Sequence, residues 1–130
     1  MFDAQNEPYV VKWTRPDPLP VYIELTIQVI NVNTFPADGI DRIKQAIIAY
    51  AAGGAPALGI DDGFSGTGFP PGSAVIYSRL FTPINYVPGH RVVSLFIGAA
   101  PSPTLEDDIP VPWDEFAEFT ADNINILVAP

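Results

Sequence analysis

Between Val21 and Val29 the chain reads VYIELTIQV. Val21, Ile23, Leu25, Ile27 and Val29 alternate with Tyr22, Glu24, Thr26 and Gln28. A period of two, rich in β-branched side chains, predicts a strand whose odd-numbered face is core and whose even-numbered face is more exposed. The alternation breaks at Ile30 to Val32, and the loop NTFPA follows. The period then changes. In DGIDRIKQAIIAYAAGG, Ile40, Ile43, Ile47 and Tyr50 or Ala51 recur at helical spacing, while Asp41, Arg42, Lys44 and Gln45 lie mostly off that stripe. This predicts a helix capped by Asp38, with Asp41 three residues on and Gly53 and Gly54 as its stop.

The segment SAVIYSRLFTPINYVPG predicts a second helix, with Ser73 as N-cap and Val75, Ile76, Leu80 and Ile84 on its apolar face. Pro83 limits it, because an interior proline clashes with the carbonyl four residues earlier. The helix therefore ends near Phe81 or restarts with Thr82 as cap and Pro83 in the first turn. HRVVSLFIG reads as a short strand and APSPTLEDDIPVPW as a proline-punctuated loop. WDEFAEFTAD admits a helix, since Trp113, Phe116 and Phe119 are three apart, but is read as extended structure ending in a turn at Ala121 to Asn123. NINILVA alternates again, so Ile124, Ile126 and Val128 are expected to pair into the same sheet. At the start, Tyr9, Val10, Val11 and Trp13 precede Pro16, Pro18 and Pro20, which mark an extended connector or edge segment. The expected fold is a single compact α+β domain over residues 1–130, with 1–9 as a flexible lead-in. Its sheet is mixed or mostly antiparallel, with three to four strands and two helices packed on one face.

Composition narrows the function. The chain has no cysteine, which excludes a disulfide framework, a thiolate metal site and a cysteine nucleophile. Fifteen acidic against six basic residues give a formal charge of −9. That balance repels nucleic acid and anionic membrane surfaces, so neither is an expected partner. The apolar runs are too short to cross a bilayer, and Asp3 and Glu7 stand where a secretory signal needs basic residues. The expectation is a soluble protein, intracellular when made. Fifteen prolines in a chain that is 48% hydrophobic describe a folded domain with stiff connections.

The stretch GGAPALGIDDGFSGTGFPPGS, Gly53 to Ser73, holds seven of the ten glycines. It lacks the lysine of a phosphate-binding loop, and Gly63, Gly66 and Gly68 reverse the spacing of a dinucleotide fingerprint. Asp61 and Asp62 lack the alternating ligands and closing glutamate of a calcium loop. The stretch is read as a link between two helices, mobile until it orders against a neighbouring subunit. His90, the only histidine, is expected at a surface or turn. Ser78 and Arg79, without a nucleophile elbow, are read as packing and a surface pair. Asp114, Glu115 and Glu118 are too ordinary in so acidic a chain to mark paired catalytic carboxylates. No catalytic, cofactor-binding or metal residue is assigned, no cofactor is expected, and the chain is not expected to be an enzyme. Edge strands and Phe64, Phe69, Phe81 or Phe96 are contact candidates. A second reading is a small-ligand or carbohydrate site in which the glycine-rich loop joins Trp113 or Tyr86 as a stacking surface.

The order of parts carries a further signal. TRPDPLPVYIELTIQV, GIDRIKQAIIAYAAG, PPGSAVIYSRLFTPINYVPGHRVVSLFIG and EFAEFTADNINILV, in that sequence, resemble the C-terminal domain of the baseplate J-like family of phage contractile-tail proteins. The likeness runs from about Val10 onward. Its most specific part is a Pro-Gly before a helix, a Tyr-Ser-Arg-Leu stretch within it, and a Pro-Gly exit into a Val-rich strand. Pro71, Gly72, Val75, Tyr77, Ser78, Arg79, Leu80, Ile84, Val87, Pro88 and Gly89 match that layout. The resemblance implies a structural wedge component of a tail baseplate, assembled in the host cytoplasm. Its expected partners are other baseplate or tail proteins and further copies of itself.

Overall fold

The computed structural model describes residues 16–61 and 68–130. The apolar run from Tyr9 to Trp13 lies outside the described residues, as does the middle of the glycine-rich loop with Asp62, Gly63, Phe64 and Gly66.

Strand β1, Asp17–Pro20, runs through Val21 into β2, Tyr22–Val29. The amides of Asp17 and Val21 donate to the carbonyls of Asp114 and Glu118, at 2.9 and 3.0 Å. Odd-numbered residues thus turn their amides toward the partner, and Pro18 and Pro20, which have none, occupy the positions between. That arrangement suits an edge strand. Val21 and the odd-numbered Ile23, Leu25 and Ile27 of β2 are buried, as the alternation predicts, while Val29 is only half-buried.

Helix α1, Gly39–Gly53, buries Ile43, Ala46, Ile47 and Tyr50 against that face. Ile40 is only half-buried. Its stop is as expected: Gly54 caps the last turn and donates to the Tyr50 carbonyl at 2.7 Å. Its start is not. Asp38 stands at the N-cap position but makes no side-chain capping bond, because its carboxylate pairs with Arg42 one turn on, at 2.8 Å.

The second helix differs more. Ser73 is not its cap: the Ser73 amide closes a turn onto Pro70, and Val75 exchanges both backbone hydrogen bonds with Ile109, each 2.9 Å. A 3₁₀ turn, Tyr77–Leu80, leads into α2, Phe81–Tyr86. The N-cap of α2 is Leu80, with no side-chain bond, and Pro83 falls in the first turn, where its missing amide has no intrahelical partner to lose.

Gly89, at φ 95°, turns the chain into β3, His90–Gly98. A Cβ at Gly89 would strike the backbone of Phe35, so the residue is needed for close approach as well as for its conformation. β3 pairs antiparallel with β2, with a bulge that leaves Val93 unmatched between the Ser94–Thr26 and Val92–Ile27 pairs. The extended reading of the following aromatic segment holds: β4, Glu115–Glu118, then a 3₁₀ turn at Ala121–Asn123, then β5, Ile124–Val128.

β1 pairs parallel with β4, and β2 pairs parallel with β5. Partner numbers differ by 98 along the first pair (Asp17 with Glu115) and by 101 along the second (Ile23 with Ile124). Three extra residues therefore sit on the β4–β5 side, the length of the Ala121–Asn123 turn. The architecture is a compact α+β fold with a three-stranded mixed sheet, β3-β2-β5, a two-stranded parallel sheet, β1-β4, and two helices. One core joins β2, β3 and β5 to α1 and α2, with Val75, Ile109 and Val111 closing its side.

Candidate functional site

The glycine-rich stretch ends on an ordered knot. Gly68 lies so close to the last turn of α1 that a Cβ there would collide with the Ala51 carbonyl, and the next amide, Phe69, donates to that carbonyl at 2.8 Å. Phe69 is buried, stacks on Phe119 at 5.7 Å and meets Tyr50 edge-on at 6.1 Å. Arg79 closes the knot with only 7% of its surface exposed. Its guanidinium lies 5.1 Å from the ring centres of both Tyr50 and Phe69, its Nε donates to the Tyr50 hydroxyl at 2.8 Å, and Nη1 reaches the Gly68 carbonyl at 3.4 Å. A planar, weakly hydrated cation can be covered by ring faces in this way, whereas an ammonium is more strongly hydrated. Arg79 is therefore a core residue and not half of a surface pair.

The acidic candidates do not converge. Asp108 accepts the Tyr77 amide at 2.7 Å and Asp107 accepts the Asp108 amide at 2.8 Å, so both carboxylates shape the loop. The Tyr77 hydroxyl donates to the Leu95 carbonyl at 2.7 Å, and burial, with the Glu106 charge, raises its pKa. Glu115 and Glu118 lie on β4, with Asp114 just before it. Among the described residues no group of three or more acidic, histidine or cysteine side chains is placed to hold a metal ion.

His90 lies at a turn, as expected, but is half-buried with its ring turned inward. It sits where β3 leaves the Gly89 turn, with its ring edge-on to Phe35 at 5.8 Å. Both ring nitrogens are buried and neither attains hydrogen-bond geometry. Burial lowers its pKa, and the opposing pull of the Ile84 backbone is the smaller effect.

Of the aromatic contact candidates, Phe69 is buried, Phe81 is half-buried against Tyr77, and Phe96 lies half-buried beside Glu24 on the outer face of the sheet. Trp113 is 86% exposed and lies against the backbone of Gly72. Tyr86 lines a different feature, a groove of about 470 Å³ along the outer flank of α1. A second groove, about 480 Å³, runs between α1 and β4 and includes Phe69, Phe116 and Phe119. Trp113 lines neither, so it does not combine with Tyr86 into one stacking surface.

The outer edges of the sheet differ from one another. β3 is partly covered, since Ile97 donates to Leu105 at 2.9 Å. β5 has no strand on its far side among the described residues. Its sequence, INILV, contains no charge and no proline, and Leu127 and Val128 are each 49% exposed. The Ala129 amide donates to the Ile27 carbonyl at 2.7 Å. By the alternation of a parallel ladder, the amides and carbonyls of Ile124, Ile126 and Val128 therefore point away from β2, and the Ile124 amide is taken up by the Ala121 carbonyl of the preceding turn.

Among the described residues no helix is long and apolar enough to cross a membrane. The chain matches no protein-family model and no curated protein sequence.

Proposed function

We propose that this chain is a structural module of a phage-type contractile-tail baseplate, working through protein–protein contacts within the wedge. The observation that carries this reading is the outer edge of β5. Soluble proteins normally blunt such an edge with charge, proline, a bulge or a covering element. Here the strand is uncharged, keeps the outward amides of Ile126 and Val128, and exposes Leu127 and Val128. A strand from a neighbouring subunit would extend the β3-β2-β5 sheet, gaining main-chain hydrogen bonds and covering those side chains. The resemblance of residues 71–89 to the baseplate J-like layout supplies the setting, and the chain's charge of −9 favours a basic neighbour over unassisted self-association.

The test is light scattering after size-exclusion chromatography of the chain alone and mixed with the tail proteins encoded beside it. A stable complex is expected with at least one of them. It should weaken in Val128→Pro, which removes an outward amide without touching the ladder to β2, and in Leu127→Lys. A chain that stays monomeric with each of those proteins would overturn the proposal.

A further inference from the structure

The groove along α1 has a graded wall. Asp38, Asp41, Arg42, Ala46 and Ala49 follow one stripe of the helix, so the groove passes from acidic side chains at the helix start to alanines near its end. Tyr86 forms part of the opposite wall and Leu58 also borders the groove. The charge of Arg42 is taken up by Asp38 at 2.8 Å. Asp41, on the exposed side, has no cation within ion-pair distance among the described residues. Tyr86 is half-exposed, and the alanines leave room for an incoming side chain to approach the helix closely.

We propose that this groove docks a segment of a partner protein that carries an arginine or lysine next to apolar side chains. The cation meets the Asp41 carboxylate and the face of Tyr86, and the apolar neighbour lies over Ala46, Ala49 and Leu58. Three features select this occupant. A carboxylate and an aromatic side chain lining one groove suit a guanidinium or ammonium group, which can gain a charged hydrogen bond and a cation–π contact together. Apart from Gln45 the remaining wall is apolar and offers few polar groups to the ring of hydroxyls on a sugar. The net charge of −9 steers a basic segment toward the surface and repels an acidic one. The proposal rests on the reading of the chain as an interaction module and places a second contact on a surface separate from the β5 edge.

The experiment is a ¹H–¹⁵N NMR titration of the full chain with three probes: acetyl-Arg-Leu-Leu-amide, acetyl-Glu-Leu-Leu-amide and maltotriose. The arginine peptide should shift the amides of Asp41, Gln45, Ala49 and Tyr86, and less so as salt is raised. Asp41→Asn, an exposed change that leaves the fold intact, should weaken it about two- to fivefold, the range of a solvent-accessible ion pair. Equal binding of the glutamate peptide, shifts with maltotriose alone, or no shifts in the groove would overturn the proposal. If those amides stay still while the complex through β5 forms, the groove assignment alone fails. If neither forms, the interaction-module reading fails with it.

Discussion

Arg79 shows how one side chain can fix a loop. It ties the exit of the glycine-rich stretch, Gly68 and Phe69, to Tyr50 on α1 through two hydrogen bonds and two ring contacts. Arg79→Lys keeps the charge but loses the planar fork, and the ammonium is more costly to desolvate between rings. It should lower stability by about 1.5–3 kcal/mol, the scale of a buried hydrogen bond to a charged group. Urea unfolding of the two proteins measures this, and a difference below about 0.5 kcal/mol, the scatter of neutral surface changes, would refute the role. His90 carries a pH prediction. Its folded pKa lies below the ordinary value of about 6.5 because burial disfavours the imidazolium. The stability that comes from the neutral ring is therefore present above about pH 6.5 and is lost as pH falls through the folded value. Relative to His90→Leu, which cannot titrate, the wild-type chain should lose stability between pH 7 and pH 5. Parallel pH profiles would contradict this. Neither residue was legible in its role. A single arginine in an apolar stretch reads as a surface residue, and a histidine after Pro-Gly as a surface or turn residue, until the fold brings Tyr50, Phe69 and Phe35 to them.

At the scale of elements, legibility followed periodicity. β2 and α1 each run long enough for the period to stand out, and their buried faces, Val21 to Ile27 and Ile43 to Tyr50, are those that the pattern marks. The aromatic segment before β5 read correctly as extended because its turn at Ala121–Asn123 interrupts the spacing of three. Ser73 to Leu80 misled. Val75, Ile76 and Leu80 fit a helical stripe, but Val75 reaches its buried position by pairing with Ile109, 34 positions along the chain, an alternative no local pattern contains. The parallel pairing of β1–β2 with β4–β5 was hidden for the same reason. Hydrogen exchange separates the two accounts of residues 73–80. In a helix capped by Ser73, the Val75 amide would be a first-turn donor without a backbone partner and would exchange quickly. Bonded to Ile109, it should exchange slowly, and Ile109 with it. Rapid exchange at both would restore the helix.

Among the described residues the molecule presents a sheet with one edge partly covered and one bare, a buried cationic knot, and acidic groups that shape loops. A rigid frame with a bare β5 edge is suited to being extended by a neighbour. The mixed sheet and the helices on its inner face were readable from the sequence. Which edge would be left open was not, because it depends on strand order. The most direct measurement is amide hydrogen exchange at Ile126 and Val128, in the free chain and in the complex proposed above. These amides should exchange quickly in the free chain and slow at least tenfold in the complex, an added protection of about 1.4 kcal/mol. The amides of Asn125 and Leu127, already turned toward β2, should change little. Slow exchange at Ile126 and Val128 in the free chain, or fast exchange in the complex, would contradict assembly through this edge.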